Sequence, residues 1–372
     1  MRIALITPGG VDRTGSHRVI PCMLWLIERL TRAGHDVQVI ALHQEPRPGQ
    51  WRLADADVHN IGSRPRSLRG IAKFLALHRE KRFDVVHAFW AGMPGLVGAG
   101  GRVLADIPMV LTLPGGDVVR LPEIGYGGHL TARSRALAAL SIRAASFVTV
   151  PSETMRAHAR SVGVDALRVP LGVALDRWPA IPPRRRDTAR PIRLLQIASL
   201  NRVKDQPTLL AAAARLRDAR LPFTLDIVGE DTLGGEIGAA ISALQLEDHV
   251  RLPGFQPQAK LRSWVDQADL MVFSSLSEGA PIAMLEAAVA GVPTVGTAVG
   301  HIAEYAPGAA IAVPARDAEG LATGILRLAG DEDLRLRLAK AAQTRAVAED
   351  ADFTAAAFVD LYARAIRARK AA

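Results

Sequence analysis

One feature constrains this chain more than any other: short β-rich runs alternate with helical patterns from residue 2 onward, stop once near residue 180, and then start again. The opening reads as a strand "RIALITP", a helix "PCMLWLIERLTRAG" and a strand "DVQVIAL". Apolar runs of strand length, separated by patterns of helical period, fold most stably as a parallel sheet with helices on both faces. Further strands are expected at "VVHAF" (85–89), "MVLTL" (109–113) and "FVTV" (147–150). The run "WPAIPPRRRDTARP" then places four prolines between Pro179 and Pro191 and can continue neither a helix nor a central strand. Beyond it come "IRLLQIASL", "FTLDIVG", "VRLPGF" and "LMVFSS", with helices expected at "PTLLAAAARLRDA", near 234–245 and near 258–267. Helices around 317–329, 331–348 and 354–370 close the chain. The expected fold class is therefore α/β with two Rossmann-like doubly wound domains, as 372 residues exceed what one core usually serves. The expected division is 1–180, 181–352, and a last helix, 353–372, packing back on the first domain.

Composition narrows the class. The longest apolar stretch, 282–300, is interrupted by Glu286 and Pro293 and falls short of the ~20 apolar residues of a bilayer span. A single cysteine, Cys22, allows no intrachain disulfide and no multi-cysteine zinc site, so the expected compartment is the reducing cytoplasm. Residues 1–180 hold 23 Lys and Arg against 14 Asp and Glu, whereas residues 181–372 hold 23 of each. Such asymmetry is what a domain meeting an anionic surface or a phosphorylated acceptor would carry, and also what a merely solvated basic surface would carry. Residues 67–82 pose the same choice. Leu68, Ile71, Phe74 and Leu75 share one face and Arg69 and Lys73 the other, so the helix could rest peripherally on an anionic membrane. Packing on the sheet with the basic face in water is the preferred reading.

The run "SLSEGAPIAMLEAAVAGVPTVGT" (275–297) sets Glu278 and Glu286 into an apolar stretch. An unpaired buried carboxylate costs several kcal/mol, so each glutamate is either paired or holds something. Pro281 fits the first turn of a helix that Gly291 and Pro293 end, with Glu286 inside it and Glu278 on the loop before it. The N–H groups of Gly279, Ala280, Ile282 and Ala283 would then point out of a helix N-terminus, where a phosphate is favoured. A carboxylate one turn in could accept both hydrogen bonds of a ribose diol. The structural alternative makes Glu278 a cap and pairs Glu286 with an arginine.

This pattern resembles that of retaining glycosyltransferases of the GT-B fold, family 4, whose glutamate, seven residues, glutamate and "G-x-P-V" are matched by "EGAPIAMLEAAVAGVPTV". Similar text appears as "GGVDRTG", "RAGHDVQV", "FDVVHAF", "VPLGVALDRW", "LDIVGE", "VRLPGF" and "AVGHIAE", so the resemblance spans the chain. It implies two domains facing a cleft and transfer of a sugar from a nucleoside diphosphate donor. No metal is expected, because the helix N-terminus and Lys204 already meet the diphosphate charge and no credible carboxylate cluster faces it. The resemblance places Lys204 at a phosphate, in a loop where Asp205 would cap the next helix, and Glu278 at the donor sugar. Gly10, Arg202, Gly254, Gly279, Ala280, Pro281, Ile282 and Glu286 complete the implied donor contacts, Arg202 standing in for a family arginine where this chain has Ser199. His87, Trp90, Gly115 and Gly116 would lie on the acceptor side with Asp117 as a catalytic group. The family's His-Gly-x-Asp here reads "PGGD", with Pro114 in the histidine's place.

Competing patterns are weaker. Asp55 and Asp57 form an Asp-x-Asp, a metal-diphosphate motif elsewhere, but no buried strand aims it, and it reads as surface. The histidines show no metal spacing, no nucleotide-binding glycine motif of the dehydrogenases occurs, and nucleic acid is not an expected partner. A nucleotide-sugar-binding protein without catalysis and a sugar-nucleotide epimerase of the same fold are the alternatives. Acceptor, sugar and nucleobase are not legible.

Overall fold

The computed structural model describes residues 1–371, which divide into two compact units, one of Met1–Gly172 with the helix-bearing segment from Ala351 onward and one of Val173–Asp350. In unit 1 eight strands form one sheet: β1 (Arg2–Thr7), β2 (Asp36–Ala41), β3 (Gly49–Leu53), β4 (Ala56–Asn60), β5 (Val85–Phe89), β6 (Met109–Thr112), β7 (Phe147–Val150) and β8 (Leu167–Arg168), in the order β3-β4-β2-β1-β5-β6-β7-β8. All neighbours are parallel except β3 and β4. Leu5 of β1 lies opposite both Val39 and His87, so β1 and β5 occupy the centre, where β1 is buried along its whole length.

The antiparallel β3 was not expected from the sequence. It joins β4 through Ala54 and Asp55, both at positive φ, in the two-residue turn that suits a twisted hairpin. Asp55 thus sits exposed in a turn, but Asp57, contrary to the expected absence of a buried strand, lies half-buried on the mostly buried β4, where it accepts a hydrogen bond from Gln38 at 3.2 Å. The helix Arg66–Glu80 packs on the sheet through Gly70, Phe74 and Leu77, but Leu68, expected on that face, is 66% exposed.

The final helix, Ala351–Lys370, packs on the helix Pro21–Arg32 and on β5 and β6. It buries Phe358, Leu361, Tyr362 and Ala365, and its Thr354 hydroxyl bonds the Pro170 carbonyl at 2.7 Å and takes the Gly172 N–H at 2.9 Å. Unit 1 is therefore closed by a segment distant in sequence.

Unit 2 is a six-stranded, wholly parallel sheet of β9 (Ile192–Ile197), β10 (Phe223–Val228), β11 (Val250–Gly254), β12 (Leu270–Phe273), β13 (Thr294–Thr297) and β14 (Ile311–Val313), in the order β11-β10-β9-β12-β13-β14. Its core gathers Leu194, Leu225, Ile227, Leu270 and Val272 against Leu209, Leu216 and Ile325 of the covering helices. The proline run forms neither helix nor strand, yet it belongs to this unit. Ile181 N–H bonds Val289 O at 3.1 Å, Gln343 bonds Ile181 O at 2.6 Å, and Arg186 N–H bonds Glu332 at 2.7 Å. The division falls eight residues before the expected 180, and that span is held by unit 2: Arg262 Nη1 bonds Pro179 O at 3.0 Å and its guanidinium lies over the Trp178 ring.

Candidate functional site

In a doubly wound sheet, ligands bind beyond the carboxyl ends of the strands where the chain's direction of winding reverses. In unit 2 that point lies between β9 and β12, since β10 and β11 continue to one side and β13 and β14 to the other. The loop after β9 carries Lys204, and the loop after β12 carries Glu278. The two meet there: Lys204 Nζ lies 2.5 Å from Glu278 Oε1, and Ser275 Oγ donates to the same oxygen at 2.7 Å. Both bonds fall on Oε1, which leaves Oε2 for a ligand hydroxyl.

The floor beneath the pair is tied to both strands. Leu276 N–H bonds Val203 O at 2.8 Å, Ser274 Oγ bonds Lys204 O at 2.7 Å, and Thr297 Oγ1 bonds Ser275 O at 2.6 Å. Gly300 closes the back of the loop. Its φ is +52°, and a Cβ there would stand 2.8 Å from Gly279 O and 2.9 Å from Glu278 O, so any side chain would push the Glu278 loop away.

The helix after this loop runs Ile282–Val289, with Pro281 one residue earlier than expected, at the N-cap. Met284 and Leu285 N–H bond Pro281 O, so Ile282 and Ala283 are the first-turn N–H groups with no intrahelical partner. Glu278 does not cap this helix, which has no side-chain cap. Glu286 is buried, and it pairs with no arginine: among the described residues it makes no ion pair, and Gln258 Nε2 donates to its Oε1 at 2.5 Å. Burial pushes its carboxyl up to about 8, the Gln258 bond opposing only in part.

Other expected donor contacts are placed differently. Arg202 is exposed and paired with Glu236 at 3.1 Å, an arrangement that holds its guanidinium by only about 0–1 kcal/mol. Asp205 occupies the N-cap of the helix Gln206–Asp218 at φ +47°, where its side chain makes no cap bond to the backbone and accepts the Thr208 hydroxyl at 2.6 Å. Gly254 ends β11 at φ +74° with open space around it. Gly10 lies in unit 1, its N–H held by Gln44 Oε1 at 2.6 Å.

Unit 1 sets Trp90, Gly115, Gly116 and Asp117 beyond the carboxyl ends of β5 and β6. Trp90 adopts φ +70°, uncommon for a bulky residue. Asp117 is buried, accepts the Ala91 N–H at 2.7 Å through Oδ1, and has no hydrogen-bond partner for Oδ2; burial raises its carboxyl to about 7, opposed in part by the backbone N–H groups of Ala91, Gly115 and Asp117 itself. Gly116, at φ +79°, lets the loop pass Tyr126, whose hydroxyl a Cβ would meet at 2.7 Å.

His87 is not on the acceptor side. It is fully buried in the middle of the sheet, its Nδ1 2.6 Å from the Tyr362 hydroxyl and its Nε2 2.7 Å from Thr112 Oγ1, with its ring stacked on Phe89. Burial lowers it to about 3, so it is a neutral core residue fastened by the last helix.

Two residues of the site escaped the sequence. Gln258 could not be found, because its pairing with Glu286 spans 28 residues and depends on packing. His301 follows Gly300, is 1% exposed, and neither ring nitrogen has a hydrogen-bond partner, although Glu304 Oε2 stands 3.4 Å from Nδ1. The only signal was a histidine inside the quoted "AVGHIAE" run. Among the described residues no cluster of three or more His, Cys, Asp or Glu could hold a metal, and no helix is long and apolar enough to cross a membrane.

Comparison with known proteins bears on the family and the fold. Residues 181–345 match the family Glycosyl transferases group 1, and residues 19–172 match the Glycosyl transferase 4-like domain. The amylovoran biosynthesis glycosyltransferase AmsK of Erwinia amylovora is 32% identical over 152 residues, 38% of this chain and 37% of that protein, so the match spans well under half of either. Among solved structures, sucrose-phosphate synthase from Thermosynechococcus elongatus superposes with a TM-score of 0.84 at 20% identity, covering 99% of both chains. HepE from Anabaena, solved with UDP and glucose, gives 0.75 at 19% identity over 98% of this chain and 100% of that one. With one family domain in each of its two Rossmann-like units, the chain belongs to the family 4-like glycosyltransferases of the GT-B fold.

Proposed function

We propose that the protein transfers a sugar from a nucleoside diphosphate sugar to an acceptor, with retention of anomeric configuration and without a metal, and that unit 2 binds the donor. The observation that carries this is the Lys204–Glu278 contact at the reversal point of the unit 2 sheet. Negative charge grows on the diphosphate as the glycosidic bond breaks, and the Lys204 ammonium with the first-turn N–H groups of Ile282 and Ala283 would meet it. Glu278 would accept hydrogen bonds from the donor sugar and Glu286 from the ribose. Retention is supported by the resemblance of the Glu-x7-Glu run, and a nucleoside diphosphate by the helix N-terminus beside a lysine. HepE holds UDP, which makes UDP the first nucleotide to try. In unit 1, Asp117 with its unsatisfied Oδ2 is the group best suited to take a proton from an acceptor hydroxyl.

A binding protein without catalysis is the second reading, favoured by one observation: Pro114 offers no N–H and no imidazole, and buried His87 cannot replace it. The deciding experiment incubates the protein with UDP-, GDP- and ADP-sugars and candidate acceptors, follows release of free nucleotide, and reads the anomer of the product by NMR. Binding without release in every combination supports the second reading. An inverted anomer refutes retention.

A further inference from the structure

We propose that unit 1 carries a separate pocket for a phosphate group, formed around Arg18 and Arg66, and that this phosphate belongs to the acceptor. Only the word acceptor rests on the transferase reading; the phosphate site stands without it. The pocket lies beyond the carboxyl ends of β1 and β2, beside the start of the helix Met93–Ala105, and is an open depression of about 590 Å³ with Arg18 exposed at its mouth and Arg66 half-buried. Arg18, Arg66 and His43 line it together with the apolar Leu42, Met93 and Pro94, and no Asp or Glu is among its lining residues.

The site is built rather than incidental. Gln44, itself 5% exposed, accepts the N–H groups of Gly10 and Val11 at 2.6 and 3.0 Å and reaches the Arg18 carbonyl with its amide at 3.4 Å. Ile20 N–H bonds Gly10 O at 3.0 Å, which closes the loop on itself and sets Arg18 at φ +50°. Arg66 Nε is taken by Gly62 O at 3.1 Å, so its guanidinium is oriented while its terminal nitrogens remain. Among the described residues neither arginine is paired with a carboxylate.

Two guanidinium groups in a cavity with no counter-charge are a phosphate receptor, since each offers paired N–H donors in a planar fork. The apolar wall fits an uncharged portion attached to that phosphate. The wider field agrees, as unit 1 holds 26 Lys and Arg against 15 Asp and Glu. A soluble sugar or polyol phosphate and a lipid phosphate share this chemistry.

The test uses the full chain as wild type, Arg18→Ala/Arg66→Ala and Lys204→Ala, with glycerol 3-phosphate titrated by calorimetry at low and high salt. Flotation with phosphatidylglycerol or phosphatidylcholine vesicles runs in parallel. Glycerol 3-phosphate should bind the wild type and Lys204→Ala alike, weaken by about tenfold or more in the double variant, and weaken with salt. If only phosphatidylglycerol vesicles show the arginine dependence, the phosphate is lipid-borne; if the soluble phosphate shows it too, the headgroup alone suffices. Circular dichroism and nucleotide binding, which do not involve these arginines, report whether the double variant is folded. Binding undiminished in a folded double variant, or no binding of either probe by the wild type, overturns the proposal. Lost nucleotide binding with the phosphate site intact would instead count against the function proposed for unit 2.

Discussion

Glu286→Gln should do two opposite things at once. The carboxyl lies about 8 in the fold, raised from 4.5 by burial. A folded-state value above the unfolded one means that the folded chain holds the extra proton, so stability is undiminished below pH ~4.5, falls as pH rises, and reaches its full loss above pH ~8. At about 1.4 kcal/mol per unit the full shift would amount to roughly 4–5 kcal/mol, and local relaxation and water entry reduce the penalty at pH 8 to about 1–3 kcal/mol. Glutamine keeps the shape and can still accept from Gln258 through its amide oxygen, but it cannot ionise. The ligand-free variant should therefore melt higher than wild type at pH 8, by roughly 2–12 °C, and no higher at pH 4.5. Its nucleotide affinity should fall by about 1–3 kcal/mol, because a charge-assisted pair of bonds to the ribose becomes a neutral one. Wild-type binding near pH 7 should also release a proton, seen as a calorimetric heat that changes with the ionisation enthalpy of the buffer. Thermal melts at the two pH values, with and without UDP, GDP or ADP, supply the rest. A variant that melts lower at pH 8 and binds nucleotide as well as wild type would refute both the ribose role and the desolvation argument.

Three further outcomes are expected. Lys204→Ala should lower kcat more than it raises the donor KM, since its charge acts on a diphosphate that gains charge during reaction; steady-state kinetics giving a raised KM at unchanged kcat would contradict this. His87→Ala should cost unit 1 about 2–5 kcal/mol by opening a cavity and leaving the Tyr362 and Thr112 hydroxyls without their partner, yet leave the acceptor KM of the folded fraction unchanged, as denaturant melts and kinetics would show. Chelator should leave turnover intact; activity lost to EDTA and restored by magnesium would reopen the roles of Asp55 and Asp57.

The legible parts of the fold were those where physics is local. The β1 run "RIALIT" is buried throughout because a central parallel strand has two covered faces, and an unbroken apolar run can form little else. The edge strands β3 and β8 could not be read, since "GQWRL" is only partly buried and β8 has two residues. Glu278 and Glu286 stood out because carboxylates are costly in an apolar stretch, and Lys204 because of the motif around it. His87 was misassigned because its surroundings are set by Tyr362, 275 residues away, which no local pattern announces. Arg202 and Asp205 went to nearer partners, Glu236 and Thr208, for the same reason: several side chains compete for one polar group, and the sequence does not rank them.

The last helix also orders events during synthesis. The segment 1–172 leaves the ribosome without Phe358 and Tyr362, so the face of β5 that carries His87 stays uncovered while all of 173–350 is made. At about 5–20 residues per second that interval is roughly 10–35 s, and at its end unit 2 has its full sequence while unit 1 still lacks its last helix. The later unit in the sequence is thus the first that can finish folding, and the N-terminal sheet is the part exposed to chaperones and to aggregation. A chain cut after Asp350 would suffer at its opposite end: unit 2 would keep every residue it needs, and the sheet begun at Arg2 would be left open.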